Sequence, residues 1–144
     1  MKCLTVCQPH AWFIFADVDK LAQYGIPPKR IENRNWETRY RGPLLIHAGA
    51  STKWMAGWWD SNLPPLVYGA ILGACELEGC WPNHAESPNW ITEHYHTDGT
   101  SAFWWAIGNV RRFAEPIPYK GAQGLFNVPD SIVSKAMAAL TPAC

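Results

Sequence analysis

The stretch KRIENRNWETRYRGPLLIHAGA, residues 29–50, sets five basic side chains, two acids and a tryptophan ahead of an apolar run that ends in histidine. The run after Gly42-Pro43 reads as a strand entered through a turn. Residues 29–34 read as an extended segment, with Lys29, Ile31 and Asn33 on one face and Arg30, Glu32 and Arg34 on the other. Over the whole chain twelve Lys and Arg balance twelve Asp and Glu, so no global field draws the protein to nucleic acid or to an anionic surface. Any basic surface is local, and between Lys29 and Arg41 there is an excess of three positive charges.

Outward from this cluster, the 144 residues, 48 % of them hydrophobic, suffice for one domain over 1–144 with a real core. KCLTVCQ alternates about Leu4 and Val6 as a short strand, and Pro9 suits the first turn of a helix carrying Ala11, Trp12, Ile14 and Phe15. Gln8 then stands at a strand-to-helix corner, where its amide either reads a ligand or caps the helix. YGIPP (24–28) breaks the chain. STKWMAGWWD (51–60) reads as a helix capped by Ser51 or Thr52 and closed by Leu63-Pro64-Pro65. Residues 67–80 and 102–117 read as two long strands, the first with glycines where a curved sheet kinks. VPDSIVSKAMAAL (128–140) reads as a final helix with Pro129 in its first turn. Five or six strands with peripheral helices make a small curved α+β barrel.

The loop 81–101, without periodicity, is a candidate lid. It holds His84, His94 and His96 with Glu86 and Glu93, but their spacing matches no ordinary metal site. The five cysteines lack the spacing of a secreted disulfide framework and read as reduced, mostly buried thiols; Cys3, Cys7, Cys75 and Cys80 fit a four-thiolate zinc site poorly. Neither a metal nor a cofactor is called for. No leader precedes the first strand and no apolar run reaches the roughly 20 residues of a membrane span, so a soluble, cytoplasmic protein without membrane partners is expected.

In order along the chain, LTVCQPHAWFI, KRIENRNWETRYRGPLLIHA, GAILGACEL and FWWAIGNVRRFAEPIPYKGAQGLF resemble the ASCH domain family, whose fold is PUA-like. The matching positions are Gln8-Pro9, Lys29, Glu32, Arg34, Trp36, Tyr40-Arg41-Gly42, Ile46-His47-Ala48 and Lys120 to Phe126; residues 17–28 and 81–101 read as insertions. The resemblance implies a β-barrel with a cleft beside the Lys29-x-x-Glu32-x-Arg34 strand and a role in binding RNA or nucleotides. Some relatives hydrolyse: one bacterial group is an amidohydrolase on acetylated cytidine with Lys-x-x-Thr-x-Arg, and others are ribonucleases. Here Glu32 stands at the threonine position.

The side chains bear on these roles independently. Arg34 can grip a phosphate with two parallel hydrogen bonds, Lys29 is a compact charge, and Trp36 is a flat face for a base. Equally, Glu32 can pair with Lys29 and Arg34 as a partly buried network while Trp36 plugs the barrel. Arg39 and Arg41 add phosphate contacts; Lys120 and Gln123 lie in a glycine turn where backbone approaches a ligand or merely reverses. His47 reads as a satisfied core histidine, and Trp104 and Trp105 point to opposite faces of a strand. Three functions remain: a module for single-stranded RNA or a nucleotide or nucleoside; a small hydrolase in which Glu32 activates water and Lys29 stabilises negative charge; and a protein-interaction domain with exposed aromatics.

Overall fold

The computed structural model describes residues 1–83 and 102–140. In chain order it contains β1 (Lys2–Val6), α1 (His10–Phe15), α2 (Val18–Ala22), β2 (Ile31–Arg34), β3 (Gly42–Ala48), β4 (Ala70–Pro82), β5 (Phe103–Pro118), β6 (Leu125–Asn127) and α3 (Asp130–Ala138). The six strands form one sheet in the order β2-β5-β4-β3-β1-β6, curled into a half-barrel. Only β1 and β3 run parallel; the other neighbours are antiparallel. The expected curved sheet of five or six strands with peripheral helices is therefore present, at six strands.

Alternation divides the apolar residues between two faces. Leu4 and Val6 of β1, Leu44 and Ile46 of β3, and Trp105 of β5 pack with Ala11, Ile14 and Phe15 of α1. On the opposite face Cys3, Leu45, Ile71 and Phe113 pack with Val133 of α3. Leu44 through Ala48 are buried on both faces, which is why that run is apolar but for His47. Trp104 and Trp105 do diverge: Trp105 fills the α1-side core, and Trp104 joins Ile31, Ala106 and half-buried Trp81. The pairing of β4 with β5 shifts register at three places, and such bulges bend and twist a long hairpin into a curl.

Several local expectations are overturned. Residues 51–60 form no α-helix but two single 3-10 turns, Lys53–Met55 and Trp59–Ser61, separated by Gly57 at φ +86°, a conformation outside any right-handed helix. Lys29 and Arg30 lie before β2, which begins at Ile31. Pro9 and Pro129 stand one residue ahead of the first turns of their helices. β4 runs through Trp81 and Pro82, so the loop begins later than residue 81; its remainder, including the lid expectation and His84, Glu86, Glu93, His94 and His96, lies outside the described residues. Of the thiols, Cys3 and Cys75 are buried while Cys7 and Cys80 are half-buried. Among the described residues no helix is long and apolar enough to cross a membrane.

Candidate functional site

Glu32 lies opposite Trp105 in the β2–β5 ladder, which turns its carboxylate toward the core side of the curl. Arg34, two residues on, shares that face. Lys29 comes to the same place by a different route: its backbone N–H donates to the Phe13 carbonyl at 3.0 Å, anchoring the segment on α1 before strand geometry begins. Free of the two-residue period, its Nζ reaches Glu32 Oε1 at 3.4 Å, while Arg34 Nη2 lies 3.1 Å from Oε2. Strict alternation from Lys29 would have separated these groups; the late start of β2 unites them.

Arg34 also spans the open side of the half-barrel. Its Nη2 donates to the carbonyl of Thr5, although β1 lies four places from β2 in the sheet. That carbonyl is available because β6 pairs only with Lys2, Cys3 and Leu4. Side chains thus form a seam where no strand pairing closes the curl. Arg34 Nε is buried there without a hydrogen-bond partner.

Burial by itself would raise the Glu32 carboxyl, but the charges of Lys29, Arg34 and His10 and the Arg34 hydrogen bond outweigh it, and the group is held below its ordinary range. The seam therefore carries one carboxylate and two cations, a net positive charge with side chains only 10 to 23 % exposed.

Thr5 connects this seam to a cleft. Its hydroxyl lies 3.2 Å from His47 Nδ1 and 3.3 Å from the Ala122 carbonyl; His47 Nε2 lies 2.6 Å from the Tyr119 carbonyl. Gly121 presses so closely that a Cβ there would fall 2.6 Å from His47 Cε1 and 2.7 Å from Thr5 Oγ1. The turn over His47 thus requires a glycine. Thr5, His47, Gly49, Gly121, Lys120 and Gln123 line a cleft of about 440 Å³, with Lys120 and Gln123 exposed.

The remaining candidates lie apart from the seam or serve the fold. Gln8 is buried, its Nε2 donating to the Val67 carbonyl at 2.8 Å and its Oε1 accepting from Trp12 N–H at 2.9 Å, so it caps α1. It lines a separate cleft of about 860 Å³ with Trp12, Arg112 and Ile132. Trp36 is half-buried edge-on against Trp105, centroids 4.5 Å apart, and its carbonyl accepts from Trp105 Nε1. Arg39 is exposed; Arg41, also exposed, braces its own turn through the Thr38 and Tyr40 carbonyls. Arg30 donates to the Ile14 and Lys29 carbonyls. Thr5 and His10 were not among the sequence candidates, because their parts depend on where β6 ends and on how α1 docks.

An open six-stranded half-barrel with α1 and α3 on its two faces is the architecture of the ASCH domain, a PUA-like fold. Two solved structures share it, the tyrosine-to-phenylalanine and serine-to-alanine variants of ZmASCH from Zymomonas mobilis. Each aligns over 97 % of this chain and over 98 % and 96 % of its own, with a TM-score of 0.57 and 12 % identity. At that identity the likeness is one of fold. No family model and no curated protein sequence matches the chain.

Proposed function

We propose that this protein binds a nucleotide or an unpaired RNA segment, with the phosphate held at the Lys29–Glu32–Arg34 seam and the rest of the ligand in the cleft beneath Lys120 and Gln123. The observation that carries this reading is the seam itself: a net positive charge, mostly withdrawn from water, joined through Thr5 to a concave surface. Charge-assisted bonds from an ammonium or guanidinium to a phosphate are strong where water is scarce, and the half-buried Lys29 and Arg34 would make them. Glu32 positions both cations, and Lys120 adds a charge at the rim.

Hydrolysis in the same cleft would need Glu32 to take a proton from water. A general base works best with a pKa near the operating pH, and Lys29 and Arg34 move this carboxyl the other way. The depressed carboxyl supports binding over general-base catalysis by Glu32.

The test compares a nucleoside with its 5′-monophosphate by calorimetry. The monophosphate is expected to bind roughly 10- to 100-fold more tightly, the range for hydrogen bonds to a charged group. Equal affinities, or no affinity for either, would remove phosphate recognition from this seam.

A further inference from the structure

The segment that failed to form a helix carries an unusual surface. Trp54 is 49 % and Trp59 63 % exposed, in a molecule whose Trp104 and Trp105 are almost wholly buried. Tryptophan has a large apolar area, and leaving two at the surface forgoes burial that the core elsewhere exploits. These rings stand on a fixed base. Met55, the last residue of the first 3-10 turn, is 3 % exposed, and Trp58 packs on buried Phe13 with centroids 5.1 Å apart. Phe13 also meets His10 at 5.7 Å, and His10 meets Trp54 at 6.2 Å. Gly57, at φ +86°, turns the chain between Trp54 and Trp58. The result is an aromatic surface held by α1.

Two observations indicate what this surface receives. Lys53 Nζ sits over the Trp54 ring, 5.0 Å from its centroid, so a cation stands against one face of that ring. Phe13, whose ring meets His10 and Trp58, accepts the Lys29 N–H at its carbonyl at 3.0 Å, so α1 carries both the aromatic surface and the segment that brings Lys29 to the seam. Rings flanked on one side by Lys53 and on the other by Lys29 and Arg34 match a ligand that alternates flat apolar groups with anions. A folded protein partner has no such regular alternation; an unpaired nucleic-acid strand does. Asp60, next to Trp59, offsets part of the positive charge, so stacking rather than a long-range field would dominate at that end.

We propose that Trp54 and Trp59, with His10 at their margin, form a stacking platform that extends the seam into a site for several successive bases of unpaired RNA, Lys53 taking an intervening phosphate. This rests on the nucleotide-binding reading of the seam and assigns its ligand as a strand rather than a free nucleotide.

The test is a fluorescence titration of the full chain with oligoadenylates from the mononucleotide up to about eight nucleotides, within the span of a single-strand groove. Affinity is expected to rise with length. The Trp54→Leu/Trp59→Leu double variant should bind the mononucleotide as the wild type does, yet lose roughly 5- to 150-fold per ring on longer strands, the range that base–aromatic stacking carries. The Trp54→Tyr/Trp59→Tyr variant keeps flat rings and should retain most of that affinity, which separates stacking from any disturbance of the turn. Affinity independent of length, or a leucine variant that binds long strands like the wild type, overturns the platform while mononucleotide binding upholds the seam. Equal loss with tyrosine and leucine traces the effect to disturbance of the turn rather than to stacking and also overturns it. Wild-type protein that binds no nucleotide of any length overturns the seam reading and the platform together.

Discussion

Among the described residues, the sheet interior and the seam both bury titratable groups, and the two respond oppositely. In the sheet interior, burial pushes the thiols of Cys3 and Cys75 up to about 12, and nearby charges do not offset it. At the seam Glu32 meets the same penalty, yet its carboxyl ends below the ordinary range because Lys29 and Arg34 lie within 3.4 Å. The core excludes charge; the seam is assembled around it. Of these two places, only the seam is suited to an anion.

The sharpest way to break this contrast is Glu32→Gln. The amide keeps the shape but leaves two half-buried cations without a counter-charge, and breaking such a set is expected to cost up to about 3 kcal/mol, the lower end of the range for fully buried pairs. Urea melts at neutral pH should read that loss. Replacing Lys29, Glu32 and Arg34 together by apolar residues of similar volume should cost less than this single change, since no charge is then stranded.

The pH dependence follows from the sign of the Glu32 shift. A carboxyl depressed in the folded state contributes stability that is fully present above its unfolded pKa and is lost as pH falls through the folded value. The gap between wild type and Glu32→Gln should therefore stay constant from neutrality down to about 4.5, the ordinary value, and narrow below it. A gap unchanged down to full protonation would mean that the carboxylate is not coupled to its cations.

In the core the corresponding change is Cys75→Ser, which buries a hydroxyl among Leu4, Leu44 and Leu77 and is expected to cost about 1 to 3 kcal/mol at all pH values. The smallest stability effect is expected for exposed Lys120→Ala, within about 0.5 kcal/mol of wild type, while affinity for RNA falls. Thermal melts and a binding isotherm on the same preparation check both halves.

Much of the sheet was legible in the sequence. Leu4 and Val6 alternate, Leu44 to Ile46 form an apolar strand that ends in His47, and the glycine-punctuated run at 67–80 marked a bent one. The charge density of 29–41 pointed to the seam, but the two-residue period misplaced Lys29 because the strand starts only at Ile31. The supposed helix at 51–60 failed at Gly57, whose left-handed backbone no periodicity reveals. β6, three residues long, is too short for a pattern, and Thr5 is left as an acceptor for Arg34 because that strand begins only at Leu125, opposite Leu4. These features depend on tertiary boundaries rather than local composition.

The central claim, that a local positive seam on a chain of zero net charge binds unpaired RNA, is tested most directly by measuring affinity for one short RNA strand across a range of salt concentrations. Three excess positive charges between Lys29 and Arg41 should release few counterions, so the logarithm of the association constant should fall against the logarithm of salt with a slope of about two. The same RNA annealed into a duplex should bind more weakly. A slope near zero, or equal affinity for strand and duplex, would contradict it.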